Sequence, residues 1–242
     1  ILKIILVWFP FNIDNLSAYA IKTNPSLFIT ENNLWCIGLN ITGVDRKCQG
    51  ILFQHDSIGI CNLVFMGCNI KSFDTLITGD KNSYLYNFIG TNFYDTNQIL
   101  LVNAASNSGE RISFTNCVLA NSLNGMHCLN GNADIYMVNC SIDYLTNNIF
   151  DIEHGHIYFS SGHIEFRLSN FTPTNKPFKL SNDGSIISIR NSYIGTVANL
   201  NPNNLDFLCD NNSSAGGKFV IEDCYIFSNI GDDDCLLCRG YH

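Results

Sequence analysis

The chain repeats one pattern of apolar and polar positions, in which short alternating segments are interrupted by a residue type that favours turns. Each segment has apolar residues two and four positions before the turn residue, and another three positions after it. Such alternation is typical of β-strands that bury one face, and the interrupting residues favour the unusual backbone angles of turns. Nine copies occur, with the turn residue at Pro10, Gly38, Gly67, Gly90, Asn116, Asn139, Ser161, Asn191 and Asp223.

A second strand pattern follows every copy, and it ends at a polar residue that is preceded by an apolar one. These ends are Thr30, Gln54, Thr78, Asn103, Asn130, Glu153, Ser181, Asp210 and Arg239. Both patterns advance together, with 22 to 32 residues between successive turn residues. Two periodicities that agree indicate a structural repeat along the whole chain.

The length of the repeat predicts a stack of β-strand coils. A repeat of this length fits one turn of a parallel β-helix, whereas a leucine-rich repeat needs a helical signature and a propeller blade needs about 40 residues. We therefore predict an all-β fold, a right-handed parallel β-helix of about nine coils that forms a single domain over residues 1–242. Because strand-like runs stand at 4–9 and 236–239 and Ile1 is not an initiator, we expect a piece of a longer protein.

Stacked coils place similar side chains above one another. The position after the turn holds small residues, namely Cys68, Thr91, Cys117, Cys140, Gly162, Ser192 and Cys224. The next position holds Asn12, Asn40, Asn69 and Asn92 in four successive coils, which predicts a ladder of amide hydrogen bonds. The eleven cysteines are odd in number and lack disulfide-scaffold spacing, so we interpret them as buried thiols of a protein made in a reducing compartment.

Composition and charge exclude several classes of protein. Apolar residues make up 46% of the chain, which argues against a disordered protein, and charged residues make up 14%, against a norm of about 25%. The net charge is −8 without a cluster of Lys or Arg, so we expect no nucleic-acid partner. There is no apolar run of 18 residues, so we expect no membrane span.

The ladders and the turns rich in Asn, Ser and Gly resemble the right-handed parallel β-helix of the pectin-lyase-like superfamily. Within it, the chain resembles the central domain of bacteriophage tailspike and tail-fibre proteins. The resemblance covers residues 6–239 and is architectural, because the paired-Asp and Gly-His-Gly signatures of polygalacturonases are missing. It implies a homotrimer in the phage virion, made in the host cytoplasm, that binds bacterial surface polysaccharide. No cofactor and no metal ion are expected.

An apolar stripe supports the trimer from the sequence itself. Two residues before the polar end of the second strand, a side chain is expected to point outward. In five successive coils this position is apolar, and it holds Phe28, Leu52, Leu76, Leu101 and Cys128. An exposed stripe of this length is expected to be covered by another subunit or by a third sheet of the same coil. The next two occupants, Asp151 and Lys179, are interpreted as a salt bridge.

A pair of carboxylates is the candidate for catalysis. Asp143 and Glu165 occupy the same outward position in consecutive copies, so their backbones are expected to lie about 4.8 Å apart. Their carboxyl groups can then reach the separations used in glycoside hydrolysis, where one protonates the leaving oxygen and the other activates water or attacks the sugar. His163 lies beside them and can orient or share protons. The alternative is that both acids are solvated surface residues.

Aromatic side chains are the candidates for substrate binding. Tyr136 and Tyr158 share one outward position on adjacent coils, and Tyr193 occupies another outward position. Such rings can stack on sugars, or can pair with one another and stabilise the sheet. Arg167 is an outward base that can neutralise a uronate if the substrate is acidic.

Three functions stay open at this point. The first is a tailspike-type endoglycosidase that cleaves capsular or O-antigen polysaccharide with Asp143 and Glu165. The second is a tail-fibre or adhesin shaft that binds glycan without cleaving it. The third is a polysaccharide lyase on the same fold, for which the sequence assigns no proton-abstracting group.

Overall fold

All regular structure in the described part of the chain is β-structure. The computed structural model describes residues 4–6, 12–13, 26–30, 34–43, 46, 49–53, 61–79, 84–103, 111–130, 133–166, 176–181, 184–196, 209–211, 217–228 and 235–238. Within these residues the strands form three sheets, and the chain visits the first, second and third sheet in turn before it returns to the first. Neighbouring strands are parallel with one exception, so the predicted all-β parallel solenoid is confirmed.

The first sheet has nine strands, the second ten and the third eight. The first sheet contains Ile4–Leu6, Leu34–Ile37, Cys61–Met66, Tyr84–Ile89, Arg111–Thr115, Asp134–Val138, His156–Ser160, Ile186–Arg190 and Lys218–Glu222. The second contains Asn12–Ile13, Asn40–Thr42, Asn69–Lys71, Asn92–Tyr94, Val118–Ala120, Ser141–Asp143, His163–Phe166, Tyr193–Thr196, Cys224–Ser228 and Cys235–Cys238. The third contains Ser26–Thr30, Gln49–Phe53, Thr75–Gly79, Gln98–Asn103, Asn124–Asn130, Phe150–Ile152, Phe178–Leu180 and Cys209–Asn211.

Left-handed backbone conformations separate the first sheet from the second. Eight of the nine predicted turn residues lie in the described part of the chain, and all eight have φ between 46° and 66°. Gly, Asn and Asp adopt this region at lower cost than other residues, which explains the composition of the turns. Each alternating segment is therefore two strands in different sheets, joined at a corner, and each coil has three strands.

Apolar side chains that point inward are stacked in columns. The predicted column of Phe114, Met137 and Phe159 is confirmed, because the three residues are register partners in adjacent strands and are at most 1% exposed. The same column continues through Phe88 and Phe65, and the rings of Phe88 and Phe114 are stacked with centroids 4.6 Å apart. Adjacent coils of this solenoid are thus held together by contacts between side chains at equivalent positions of the repeat.

Both predicted ladders are present where the structure describes their side chains; the side chain of Asn12 lies outside the described residues. Asn69 Nδ2 donates to Asn40 Oδ1 and Asn92 Nδ2 donates to Asn69 Oδ1, both over 2.8 Å. The buried thiol of Cys140 points to the carbonyl oxygen of Phe114 in the preceding coil, with a Sγ–O distance of 3.4 Å. Equivalent thiol contacts to the preceding coil are made by Cys68, Cys117 and Cys224.

The prediction that the apolar stripe of the third sheet forms one continuous outward row is wrong. Leu76 and Cys128 are fully buried in the core, and only Leu101 among the described side chains of the stripe is partly exposed. The side chains of Phe28 and Leu52 lie outside the described residues. The polar ends that set the count are out of register, because Thr78 pairs with Leu101 and not with Asn103, so Leu76 and Leu101 do not share a row. A register shift after Val102 leaves one extra residue in the next strand, and such a shift moves side chains to the opposite face, as at Cys128.

The outward row that passes through Leu101 is polar in the following coils. Its next members by register are His127, Asp151 and Lys179. Lys179 Nζ lies 3.2 Å from Asp151 Oδ2, so the predicted salt bridge is confirmed. His127 Nε2 lies 3.7 Å from Asp151 Oδ2 and equally far from Glu153 Oε1.

The last strand departs from the repeat. The sequence pattern predicts that 236–239 forms a ninth strand equivalent to those of the third sheet. Instead Cys235–Cys238 pairs with Cys224–Ser228 in the second sheet and runs antiparallel to it.

Candidate functional site

The candidate catalytic residues lie on the outer face of the second sheet. Along Ser141–Asp143 and His163–Phe166, the central residues Ile142 and Ile164 are buried, so the residues on either side of them point outward. Asp143 and Glu165 are register partners, and Ser141 and His163 are register partners in the same two strands. The predicted juxtaposition of Asp143, His163 and Glu165 is therefore present.

The imidazole of His163 faces both carboxylates. Its Nδ1 lies 3.7 Å from Asp143 Oδ1, and its Nε2 lies 3.8 Å from Glu165 Oε2. These separations exceed hydrogen-bond distance but allow a protonated imidazole to attract both acids. The side chains of Asp143, His163 and Glu165 are 27%, 38% and 18% exposed, so a ligand on the outer face can reach all three.

Each carboxylate also accepts a hydrogen bond from a hydroxyl group. Ser141 Oγ donates to Asp143 Oδ2 over 2.7 Å, and Tyr144 Oη donates to Glu165 Oε1 over 2.6 Å. The second oxygen of each carboxylate is the one that faces His163. Each carboxyl group is therefore restrained in orientation by one hydroxyl donor while its side chain stays partly exposed. Sequence reasoning missed Tyr144, because it is not a turn-forming type and its role depends on the reach of its side chain.

Tyr144 adopts a backbone conformation that is rare for an aromatic residue. Its φ is 57°, and its backbone N–H donates to the carbonyl oxygen of Glu165 over 2.9 Å. Ser72, Asp95 and Asn121 adopt a similar φ at the preceding corners between the second and third sheets. Strained conformations of this kind cost of order 1–3 kcal/mol and cluster at functional sites.

A groove of about 460 Å³ adjoins the carboxylates. It crosses three coils at the corner between the first and second sheets, and it is lined by Asn139, Cys140, Ser141, Ser161, Gly162, His163, Asn191 and Tyr193. Ser141 and His163 line the groove and also face the acid pair, so the two features are continuous. Volumes of this size are typical of sites for small ligands.

Of the three tyrosines predicted to bind substrate, Tyr193 is the one that lies in the same sheet as the acid pair. It is the register partner of His163 and is 54% exposed. Its ring stacks on that of Tyr225 in the next coil, with centroids 5.4 Å apart and an interplanar angle of 15°. One face of the Tyr193 ring is therefore covered by Tyr225, and the opposite face is turned toward the coil of His163.

The structure does not bring Tyr136 and Tyr158 to the acid pair, because both lie in the first sheet. Their rings stack on one another with centroids 5.1 Å apart, and the guanidinium of Arg111 lies 4.9 Å from the Tyr136 centroid. Arg111 belongs to the preceding coil and Tyr158 to the following one, so both faces of Tyr136 are covered. This arrangement is the aromatic pairing that the sequence left as the alternative. Arg167 lies outside the described residues.

Comparisons with known proteins add no assignment. No family model, no curated protein and no solved structure matches the chain. Among the residues that the structure describes, no group of three or more His, Cys, Asp and Glu side chains is arranged to hold a metal ion. In the same residues, no helix is long and apolar enough to cross a membrane.

Proposed function

We propose that the chain belongs to a polysaccharide depolymerase of the phage tailspike type, which binds bacterial surface glycan and hydrolyses it. The observation that supports the proposal best is the pair of register-matched acids, Asp143 and Glu165, on an accessible face with His163 beside both. The groove next to them offers a place for the sugar chain. Membership of the pectin-lyase-like superfamily, a homotrimer and a position in the virion are parts of the same proposal.

The reaction that we propose is the retaining one, in which the two carboxyl groups are about 5–5.5 Å apart. Asp143 and Glu165 are register partners in neighbouring parallel strands, so their backbones lie about 4.8 Å apart and their carboxyl groups can reach that separation. In that reaction one acid attacks the sugar and the other protonates the leaving oxygen, after which it deprotonates the incoming water. The hydroxyl groups of Ser141 and Tyr144 orient the two carboxylates for these steps.

A second candidate is glycan binding without cleavage. It is favoured by the groove itself, which combines amide and hydroxyl groups with the apolar surface of Tyr193 and does not require the acid pair to hold a sugar. A lyase receives less support, because the groove lining contains no lysine or arginine among the residues that the structure describes.

The test is release of reducing ends from purified capsular and O-antigen polysaccharides. We expect the wild-type chain to release them, and Asp143→Asn or Glu165→Gln to lower the rate by about 10²–10⁴-fold. Glu222→Gln is the matched control, since Glu222 is a partly exposed acid that pairs with Arg190 and lies in the first sheet. Full activity in both amide variants would refute the catalytic assignment. Products that absorb in the ultraviolet would indicate a lyase, and binding without release would indicate the second candidate.

A further inference from the structure

The groove beside the acid pair has the chemistry of a sugar subsite. Its polar lining includes the amides and hydroxyl groups of Asn139, Ser141, Ser161 and Asn191. Three of their donors bond within the protein, to Asn116, Asp143 and Ser161, and their oxygens can still accept from the hydroxyl groups of a sugar. Tyr193 adds an aromatic wall, and the apolar face of a sugar ring packs well on such a surface. A site that combines one aromatic face with several neutral hydrogen-bonding groups matches a pyranose ring.

The charges around the groove select against acidic sugars. Asp143 and Glu165 stand on the row next to the lining residue His163, and the lining contains no Lys or Arg within the described residues. A carboxylate on the ligand about 6 Å from one of these acids would weaken binding roughly 3- to 100-fold at effective dielectric constants of about 80 to 20. A neutral ring avoids this repulsion.

Tyr193 is held in position for this contact. Tyr225 covers one face of its ring, so the ring cannot turn flat onto the protein without losing that stack. The other face is turned toward the coil of His163, which contributes Ser161, Gly162 and His163 to the groove, and Tyr193 as a whole is 54% exposed. Tyr225 itself is not part of the lining.

We infer that the groove bounded by Tyr193 binds an uncharged pyranose unit, a hexose or an N-acetylhexosamine, next to the point where the acid pair acts. The inference rests on the proposed function in one respect, namely that the bound sugar unit lies next to the bond that is cleaved. Binding of the neutral unit by the groove does not depend on cleavage, so the two claims can fail separately.

The experiment measures binding to the wild-type full chain, which keeps the charges of both Asp143 and Glu165, and mass spectrometry after each measurement checks that the probe is intact. The probes are the neutral hexasaccharides of the malto, cello, manno and chitin series, and the acidic hexasaccharides of polygalacturonate and hyaluronan. We expect saturation-transfer NMR and calorimetry to detect binding of at least one neutral probe, with a Kd at least about threefold lower than for either acidic probe. Preference for an acidic probe, or no binding of any neutral probe, would overturn the inference.

Two tyrosine variants locate the binding site. Tyr193→Ala is expected to weaken neutral-probe binding about tenfold, whereas Tyr193→Phe retains it, because the ring face and not the hydroxyl makes the contact. Tyr158→Ala is the control, a partly exposed tyrosine that stacks on Tyr136 in the first sheet and lies outside the groove, and its effect is expected to stay within about threefold. Equal losses in Tyr193→Ala and Tyr158→Ala would overturn the assignment to the groove.

The outcomes separate this inference from the proposed function. If the wild-type chain cleaves no polysaccharide but binds a neutral probe through Tyr193, the hydrolase proposal fails and the subsite stands. If the chain cleaves glycan but Tyr193→Ala binds and cleaves as the wild type does, the subsite fails and the hydrolase proposal stands.

Discussion

Removing the ring of Phe88 is expected to destabilise the solenoid strongly. Phe88 is fully buried, its ring stacks on Phe114 at 4.6 Å, and it meets Phe93 edge-on at 5.4 Å. A Phe→Ala substitution in a core costs about 3–5 kcal/mol, because apolar contact is lost and a cavity remains. We expect the upper half of that range, since the neighbouring coils are held at the strand spacing by backbone hydrogen bonds and cannot collapse into the space.

The assay is urea unfolding followed by far-ultraviolet circular dichroism, with thermal melting as a second measure. A loss of about 4 kcal/mol corresponds to a Tm lower by roughly 8–16 °C for a domain of this size. Phe88→Leu keeps most of the apolar volume but removes the ring contacts, so it is expected to lose less than the alanine variant.

The matched control is the next residue on the same strand. Ile89 points outward and is 36% exposed, so Ile89→Ala is expected to change the free energy of unfolding by about 1 kcal/mol or less. If Phe88→Ala and Ile89→Ala lowered stability by similar amounts, the inward and outward assignment of this strand, and with it the column of stacked rings, would be refuted.

Two further predictions concern groups whose pKa is shifted. Partial burial raises the pKa of Asp95, but hydrogen bonds from Arg46 and Ser72 and the charge of Arg46 outweigh it, so the pKa lies below its usual range. Its contribution to stability is therefore complete above the unfolded-state pKa of about 3.9 and is lost as the pH falls through the folded value. The stability gap between wild type and Asp95→Asn should accordingly shrink in urea titrations as the pH is lowered from 7 to 2.5, and a constant gap would contradict this. Burial, and to a smaller extent the nearby thiol of Cys68, raises the pKa of Cys36 to about 12. Iodoacetamide reacts with the thiolate, so at pH 8 the labelling of Cys36, followed by mass spectrometry, should be at least roughly a thousandfold slower in the folded than in the unfolded chain. Rapid labelling of Cys36 in the folded chain would contradict this.

The sequence was sufficient to predict the fold where the backbone conformation restricts which residue types can occupy a position. A corner with φ near +55° excludes most side chains, so Gly, Asn and Asp mark it directly in the pattern, as at Gly90, Asn139 and Asp223. Asp143 and Glu165 stand at the same distance after such corners, at Asn139 and Ser161, and their register could therefore be counted.

Counting failed where the backbone was irregular. In the third sheet, adjacent residues such as Leu76 and Ile77 are both buried, so alternation does not tell the inner face from the outer. A register shift after Val102 then placed Cys128 on the inner face, opposite to the position counted from the polar end of the strand. A strand pattern alone contains no signal for a shift of one residue.

The contact between Tyr144 and Glu165 joins backbone strain to the orientation of a carboxylate. At equivalent corners the left-handed conformation is occupied by short polar residues such as Asn121, whose side chains tolerate it better than an aromatic ring does. The aromatic side chain of Tyr144 does not lower the cost of this conformation, but its hydroxyl and its backbone N–H both bond to Glu165. The residue that is least suited to this corner therefore makes two bonds to one of the paired acids. Because the strain is offset by contacts across the coils, Glu165 is held by the stacking of the solenoid rather than by its own strand alone.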